Sequence, residues 1–159
     1  MKNLLETALQ YHRAGHHVLP VGEDKKYCAG GLWGQYMDKQ TEEDVKRLFS
    51  VPRWGIAIIG GINGLEIIDI DCKYDLTGKL EGEFYKACDE LNGNNPPVVS
   101  LAMSRTKNGG YHLYYRCPEP GNSKKLANRP ATPAEMEQGD KVKVLIETKG
   151  VGGYVVVAP

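Results

Sequence analysis

At 159 residues, with 41% hydrophobic and 25% charged side chains, the chain has an ordinary globular composition, long enough to bury a core and too apolar for disorder. Its 20 basic residues balance 20 acidic ones, so there is no global basic field to grip nucleic acid and any such affinity is local, at Lys25/Lys26, Arg105/Lys107, Lys124/Lys125/Arg129 or Lys141/Lys143/Lys149. Apolar runs such as Ile56-Ala57-Ile58-Ile59 are far too short to span a bilayer, no N-terminal signal is present, and Cys28, Cys72, Cys88 and Cys117 form no Cys-x-x-Cys pair; the expectation is a cytoplasmic protein with free thiols and no structural zinc.

Along the chain, Asn3 and Glu6 offer an N-cap and capping box for a first helix, whose Leu4, Leu5, Ala8 and Leu9 share a face and which Gly15 stops. A strand is expected over 18–21. Residues 22–38, with Lys25, Lys26 and Trp33, lack periodicity and form a long loop that either reaches a functional site or is a surface connection anchored by Trp33. Thr41 caps a second helix that turns Val45, Leu48 and Phe49 inward and ends at Pro52. Strands over 55–59 and 65–72 follow, joined by Gly60-Gly61-Ile62-Asn63-Gly64. No helix begins after these glycines, so they predict a hairpin rather than a nucleotide loop.

The second of these strands ends in Ile68-Asp69-Ile70-Asp71. In an extended chain Asp69 and Asp71 project from one face while Ile68 and Ile70 project from the other. Paired hard oxygen donors at a strand end suit Mg²⁺ or Mn²⁺ and hence phosphate chemistry, although an isolated Asp-x-Asp also suits a solvated strand end. Leu80, Phe84, Ala87 and Leu91 then mark a helix over 77–91, with Gly82 a weak point, packed behind the acidic strand.

From Pro97 onward strands are expected over 98–103, 111–117, 142–147 and 154–158. After Lys107-Asn108-Gly109-Gly110, alternation puts His112, Tyr114 and Arg116 on one face; His112 suits a phosphate contact or an ordinary structural hydrogen bond. Residues 118–140, rich in proline, read as a mobile loop or as one that carries a short helix over 133–138. Glu147 ends an apolar strand and Lys149 sits in a glycine-rich turn beside it, which taken alone is also an ordinary hairpin with a surface ion pair worth about 1 kcal/mol or less. The fold class is therefore α+β, a mostly antiparallel mixed sheet backed by helices.

The order Asp-x-Asp on a strand, Gly-Gly-x-His on a strand and a strand-terminal acid before a Gly-Gly turn resembles the bifunctional primase-polymerase (prim-pol) domain of the archaeo-eukaryotic primase superfamily, found in plasmid, phage and integrated-element replication proteins. Ala8-Leu9-Gln10-Tyr11-His12-Arg13-Ala14-Gly15, Val18-Leu19-Pro20, Trp33 and Asn63-Gly64-Leu65 also fall where that family has similar residues. The resemblance implies an RRM-like core and a single catalytic domain over 1–159. It makes Asp69 and Asp71 first-motif metal ligands, His112 the second-motif nucleotide-phosphate contact and Glu147 the third-motif metal ligand, where the family more often has Asp. The implied activity is nucleotidyl transfer from NTP or dNTP with two Mg²⁺ or Mn²⁺ ions, on a single-stranded DNA template and with a replicative helicase fused or separate. Arg105, Lys107 and Lys149 are expected helpers for phosphate charge, with Tyr114 and Arg116 lining a nucleotide or template groove. Family members generally continue past Ala158-Pro159, so a fragment truncated at its C-terminus is expected. Two other readings stay open: a metal-dependent nuclease or phosphodiesterase, and a catalytically silent replication-initiator module that binds DNA. The presence of all three acids favours an enzyme.

Overall fold

In the computed structural model, four α-helices and eight strands stand among the described residues, 4–30, 32–93 and 101–158. In chain order they are α1 (Leu4–Arg13), β1 (Val18–Val21), α2 (Glu42–Leu48), β2 (Gly55–Ile59), β3 (Leu65–Ile70), α3 (Leu80–Asn92), β4 (Ala102–Arg105), β5 (Tyr111–Arg116), β6 (Lys125–Pro130), α4 (Pro133–Glu137), β7 (Val142–Lys149) and β8 (Tyr154–Val157). The strands form a three-stranded sheet ordered β1-β2-β8 and a five-stranded sheet ordered β4-β5-β3-β7-β6. The class is the α+β expected. The backbone divides into two compact units, one of residues 1–66, 116–123 and 149–159, the other of 67–115 and 124–148. Asn3, offered as the first N-cap, and residues 98–100 of the expected strand over 98–103 lie outside the described residues.

The first unit is built on β2, which pairs antiparallel with β1 through Leu19 opposite Ala57 and with β8 through Ala57 opposite Val156. Every residue of β1 and β2 is buried, as their unbroken apolar runs require. Ala8 and Leu9 of α1 and Val45 and Leu48 of α2 are buried as well. α2 starts where Thr41 accepts from the Asp44 N–H at 3.1 Å and the Asp44 carboxylate accepts from the Thr41 N–H at 2.9 Å, a reciprocal capping box. Buried Gln40 meets both backbone groups of Val18, each at 2.8 Å, so its amide stays satisfied inside the core. Trp33 packs edge-on against Tyr154 with ring centres 5.7 Å apart, anchoring the long 22–38 segment.

Two expected hairpins are corrected. β2 and β3 belong to different sheets, so the Gly60–Gly64 stretch is a connection and not a hairpin turn. Its glycines serve close packing: a Cβ on Gly60 would overlap the Lys149 carbonyl, and one on Gly61, at φ 87°, would lie 2.8 Å from the Val151 Cα. Likewise β8 pairs with β2 and not with β7, and β7 runs on through Lys149, so Glu147 lies within the strand and Lys149 ends it.

The second unit rests on a core of Ile70, Leu80, Leu113 and Ile146, with Ile68, Cys72, Phe84 and Tyr111 packed against it. α3 begins at Leu80, later than expected, because Gly78 sits at φ 69° and the Asp75 carboxylate accepts from the Leu80 N–H at 2.9 Å. That bond, followed by those from Thr77, holds the Asp75 carboxyl down to about 2. β6 was not anticipated within 118–140. It pairs antiparallel with β7 and leads into α4, whose Thr132 forms a second capping box with Glu135. Arg129 on β6 holds Glu135 through paired contacts of 2.7 and 2.8 Å and donates to the Tyr74 carbonyl at 2.7 Å.

Candidate catalytic site

The alternation of β3 decides what its acids face. Ile68 and Ile70 enter the core of the second unit, so Asp69 and Asp71 project from the opposite face, with side chains 21% and 32% exposed. On β5 the same logic holds: Tyr111 and Leu113 join the core, which turns His112 and Tyr114 to the face of the acids. The His112 Nε2 lies 3.5 Å from the Asp69 Oδ1. Behind it, the Tyr114 hydroxyl stands 3.4 Å from the His112 Nδ1 and 2.7 Å from the Ser104 hydroxyl, Ser104 being the cross-strand partner of His112. A chain of polar groups from β4 through β5 to β3 thus orients a buried imidazole toward a half-buried carboxylate.

Gly110, just before β5, packs so closely that a Cβ there would overlap the Ile70 carbonyl oxygen. The glycine permits the approach of β5 to the end of β3 at the level of the acids; the close neighbour is the protein's own backbone. On the other side of β3, the Asp71 N–H donates to the Leu145 carbonyl at 2.8 Å. β7 is the neighbour of β3 in the sheet, and Glu147 follows Leu145 by two residues on it.

Sequence reasoning did not single out Lys73 or Tyr74. The Lys73 ammonium lies 3.0 Å from the Asp71 Oδ2, and the Tyr74 ring sits between Lys73, at 4.4 Å from its centre, and Lys143, at 4.7 Å. Burial, the largest single influence, lowers the Lys73 pKa, but the bond to Asp71, the Asp71 charge and Tyr74 together outweigh it and the net direction is upward. The available signal was a cation two residues after the second acid followed by an aromatic residue.

The expected helper cations scatter. Arg105 is the cross-strand partner of Tyr111 and its guanidinium lies 5.9 Å over that ring, on the face of Glu81 rather than of His112. Lys107 is exposed in the 106–109 turn, and Lys149 ends β7 within the first unit. Arg116 donates to the Asn63 carbonyl, a tie inside the first unit.

As a donor set for a divalent cation, Asp69 and Asp71 fit in chemistry and exposure: both are hard oxygen ligands on one face and both are partly exposed. Among the described residues no group of three or more His, Cys, Asp or Glu side chains is drawn together closely enough to hold a metal. Mg²⁺ is commonly held by one or two carboxylates with water and substrate phosphates completing the shell, a demand the pair meets. No helix among the described residues is long and apolar enough to cross a membrane. Two comparisons with known proteins complete the description. A family model described as bifunctional DNA primase/polymerase, N-terminal, matches residues 8–159. No curated protein matches the chain.

Proposed function

Since the chain belongs to the bifunctional DNA primase/polymerase N-terminal family, we propose that the acid-and-histidine face of β3 and β5 is the site at which it joins a nucleoside triphosphate to a primer or initiating nucleotide on a DNA template. The observation that carries this reading is the 3.5 Å contact between His112 and Asp69 on the face that Asp71 shares. Asp69 and Asp71 provide hard oxygen donors, with Glu147 the third acid on the neighbouring strand. A divalent ion bound there would favour ionisation of the attacking hydroxyl and stabilise the leaving pyrophosphate. His112, steadied by Tyr114 near Nδ1, donates from Nε2 to a phosphate oxygen of the triphosphate once a bound cation takes over the Asp69 carboxylate. The Lys73 ammonium neutralises Asp71 while the site is free and is the nearest cation to be released when other positive charge arrives.

The test is calorimetric titration of dATP and ATP in the presence of Mn²⁺ into the wild type, the Asp69→Ala/Asp71→Ala double variant and His112→Ala. Manganese-dependent binding that disappears in the double variant and weakens in His112→Ala is expected. Binding that ignores all three substitutions refutes the site. Cleavage of DNA by the wild type without nucleotide incorporation would replace transferase with nuclease.

A further inference from the structure

The first unit holds a cavity of about 300 Å³ that plays no part in the site just described. Tyr27, Gln35, Tyr36, Arg47 and Arg53 line it. The two arginines come from different elements, Arg47 from the last turn of α2 and Arg53 from the segment before β2. Arg47 is offset by Asp44, to which it donates alongside the Tyr36 hydroxyl. Among the described residues Arg53 has no such offset: its guanidinium donates to the carbonyls of Leu48 and Cys28 at 3.0 and 3.3 Å and to the Cys28 thiol, all uncharged. The pocket therefore carries excess positive charge, with guanidinium donors left over for an anion. Immediately after Arg53 comes Trp54, which is 70% exposed and whose backbone N–H is fixed to the Val21 carbonyl at 3.2 Å. A large aromatic surface left to solvent from a rigid backbone position forgoes burial that such a ring normally obtains.

We propose that this pocket and Trp54 form a second binding site, for single-stranded nucleic acid, with Arg47 and Arg53 taking a backbone phosphate and the Trp54 ring stacking on a base. Arg53 and Trp54 are consecutive in the chain, and a cationic pocket with an exposed aromatic residue next to it in sequence supplies the two contacts by which strands are held without reading their sequence. The placement answers how a chain of zero formal net charge grips a polyanion: through one local pocket. The site needs no divalent ion, so its failure is separable from failure of the transferase reading.

The chain has two tryptophans, and Trp33 is occupied by Tyr154, which makes fluorescence a direct readout. The intact protein, without divalent ions and at low salt, is titrated with a dodecamer of deoxythymidine, with pyrophosphate and with ATP. The dodecamer is expected to quench emission, ATP with its single base to do so only at higher concentration, pyrophosphate at equal phosphate concentration to leave it unchanged, and Trp54→Phe to abolish the response. Anisotropy of a labelled dodecamer is expected to report about tenfold weaker binding by Trp54→Ala. Arg47→Gln is expected to reduce the salt slope of binding by about one, and Arg53→Lys, which keeps the charge where Arg53→Gln disturbs the Cys28 loop, to retain most affinity. Quenching that survives in Trp54→Phe, or affinity unchanged in both Trp54→Ala and Arg47→Gln, overturns the proposal. A response to pyrophosphate equal to that of the dodecamer overturns it in favour of a pocket for free phosphate.

Discussion

The two sheets use the same kind of residue to opposite ends. β1 and β2 of the three-stranded sheet are buried along their whole length, and no titratable side chain interrupts them. β3, β5 and β7 of the five-stranded sheet bury one face and leave acids and a histidine on the other. A strand closed on both faces can contribute only packing, whereas a strand closed on one can hold charged groups at fixed spacing while its apolar face supplies their rigidity. Substitutions that damage one sheet should therefore spare what the other does, and that expectation can be broken by experiment.

The largest effect is expected at the half-open sheet. Asp69→Ala or Asp71→Ala should reduce nucleotide incorporation by about a thousandfold, equivalent to about 4 kcal/mol, while the thermal midpoint hardly moves because both side chains are partly exposed. Primer extension paired with a melt checks this, and a large loss of stability in either variant would mean the acids are structural. Next comes Ile56→Ala, in the fully buried β2, expected to cost about 4 kcal/mol of stability by denaturant titration. Hydrogen exchange should rank the strands in the same way, with amides of β2 the slowest and those of the edge strands β4 and β6 the fastest.

How much of this was legible depended on whether the signal was local. Asp69, Asp71 and His112 were found because strand alternation is local and the structure keeps it, with Ile68, Ile70 and Leu113 all in one core. Sheet membership is not local. The Gly60–Gly64 and Gly150–Gly153 stretches have hairpin composition, yet each carries the chain from one sheet to the other, because the partner of β2 is β8, nearly 100 residues away in the chain. β6 was invisible for a different reason. Lys125-Leu126-Ala127-Asn128-Arg129-Pro130 has no apolar alternation and is mostly exposed; it is an edge strand held by β7 and by Arg129, and Pro130 at its end is tolerated there. Lys73 escaped notice because a lysine after an acidic strand looks like any surface charge until its 3.0 Å contact with Asp71 is measured.

A smaller effect sharpens the link between backbone packing and the site. Gly110→Ala forces a Cβ against the Ile70 carbonyl, and neither strand backbone can yield without moving the other. A cost of about 2 kcal/mol is expected, by analogy with overpacking of a filled interior. Because the displaced segment leads directly into His112, nucleotide affinity should fall further than stability predicts. Gly109→Ala next to it meets no atom within 4 Å but sits at φ 84°, so it tests backbone strain alone, and its nucleotide affinity should stay close to that of the wild type.

The smallest effect is confined to acid. Arg129 beside Glu135, with the Thr132 N–H, holds the Glu135 carboxyl at about 2 in the folded chain, well below the value of about 4.3 of an unfolded glutamate. A carboxyl whose pKa is depressed by folding binds fewer protons in the native state, so its contribution to stability is complete above about pH 5 and is lost as pH falls toward 2. Asp75, held at about 2 by the Leu80 and Thr77 N–H groups, adds to the same window. Both belong to the second unit, so the midpoint of its unfolding, followed by the amides of β6 and α3, should be flat from pH 8 to 5 and fall below that. In Glu135→Gln the decline should be shallower, leaving only the share of Asp75 and the other carboxylates. A decline of equal steepness in that variant would show that the Arg129 bond does not hold this end of the sheet, and that β6 depends on its pairing with β7 alone.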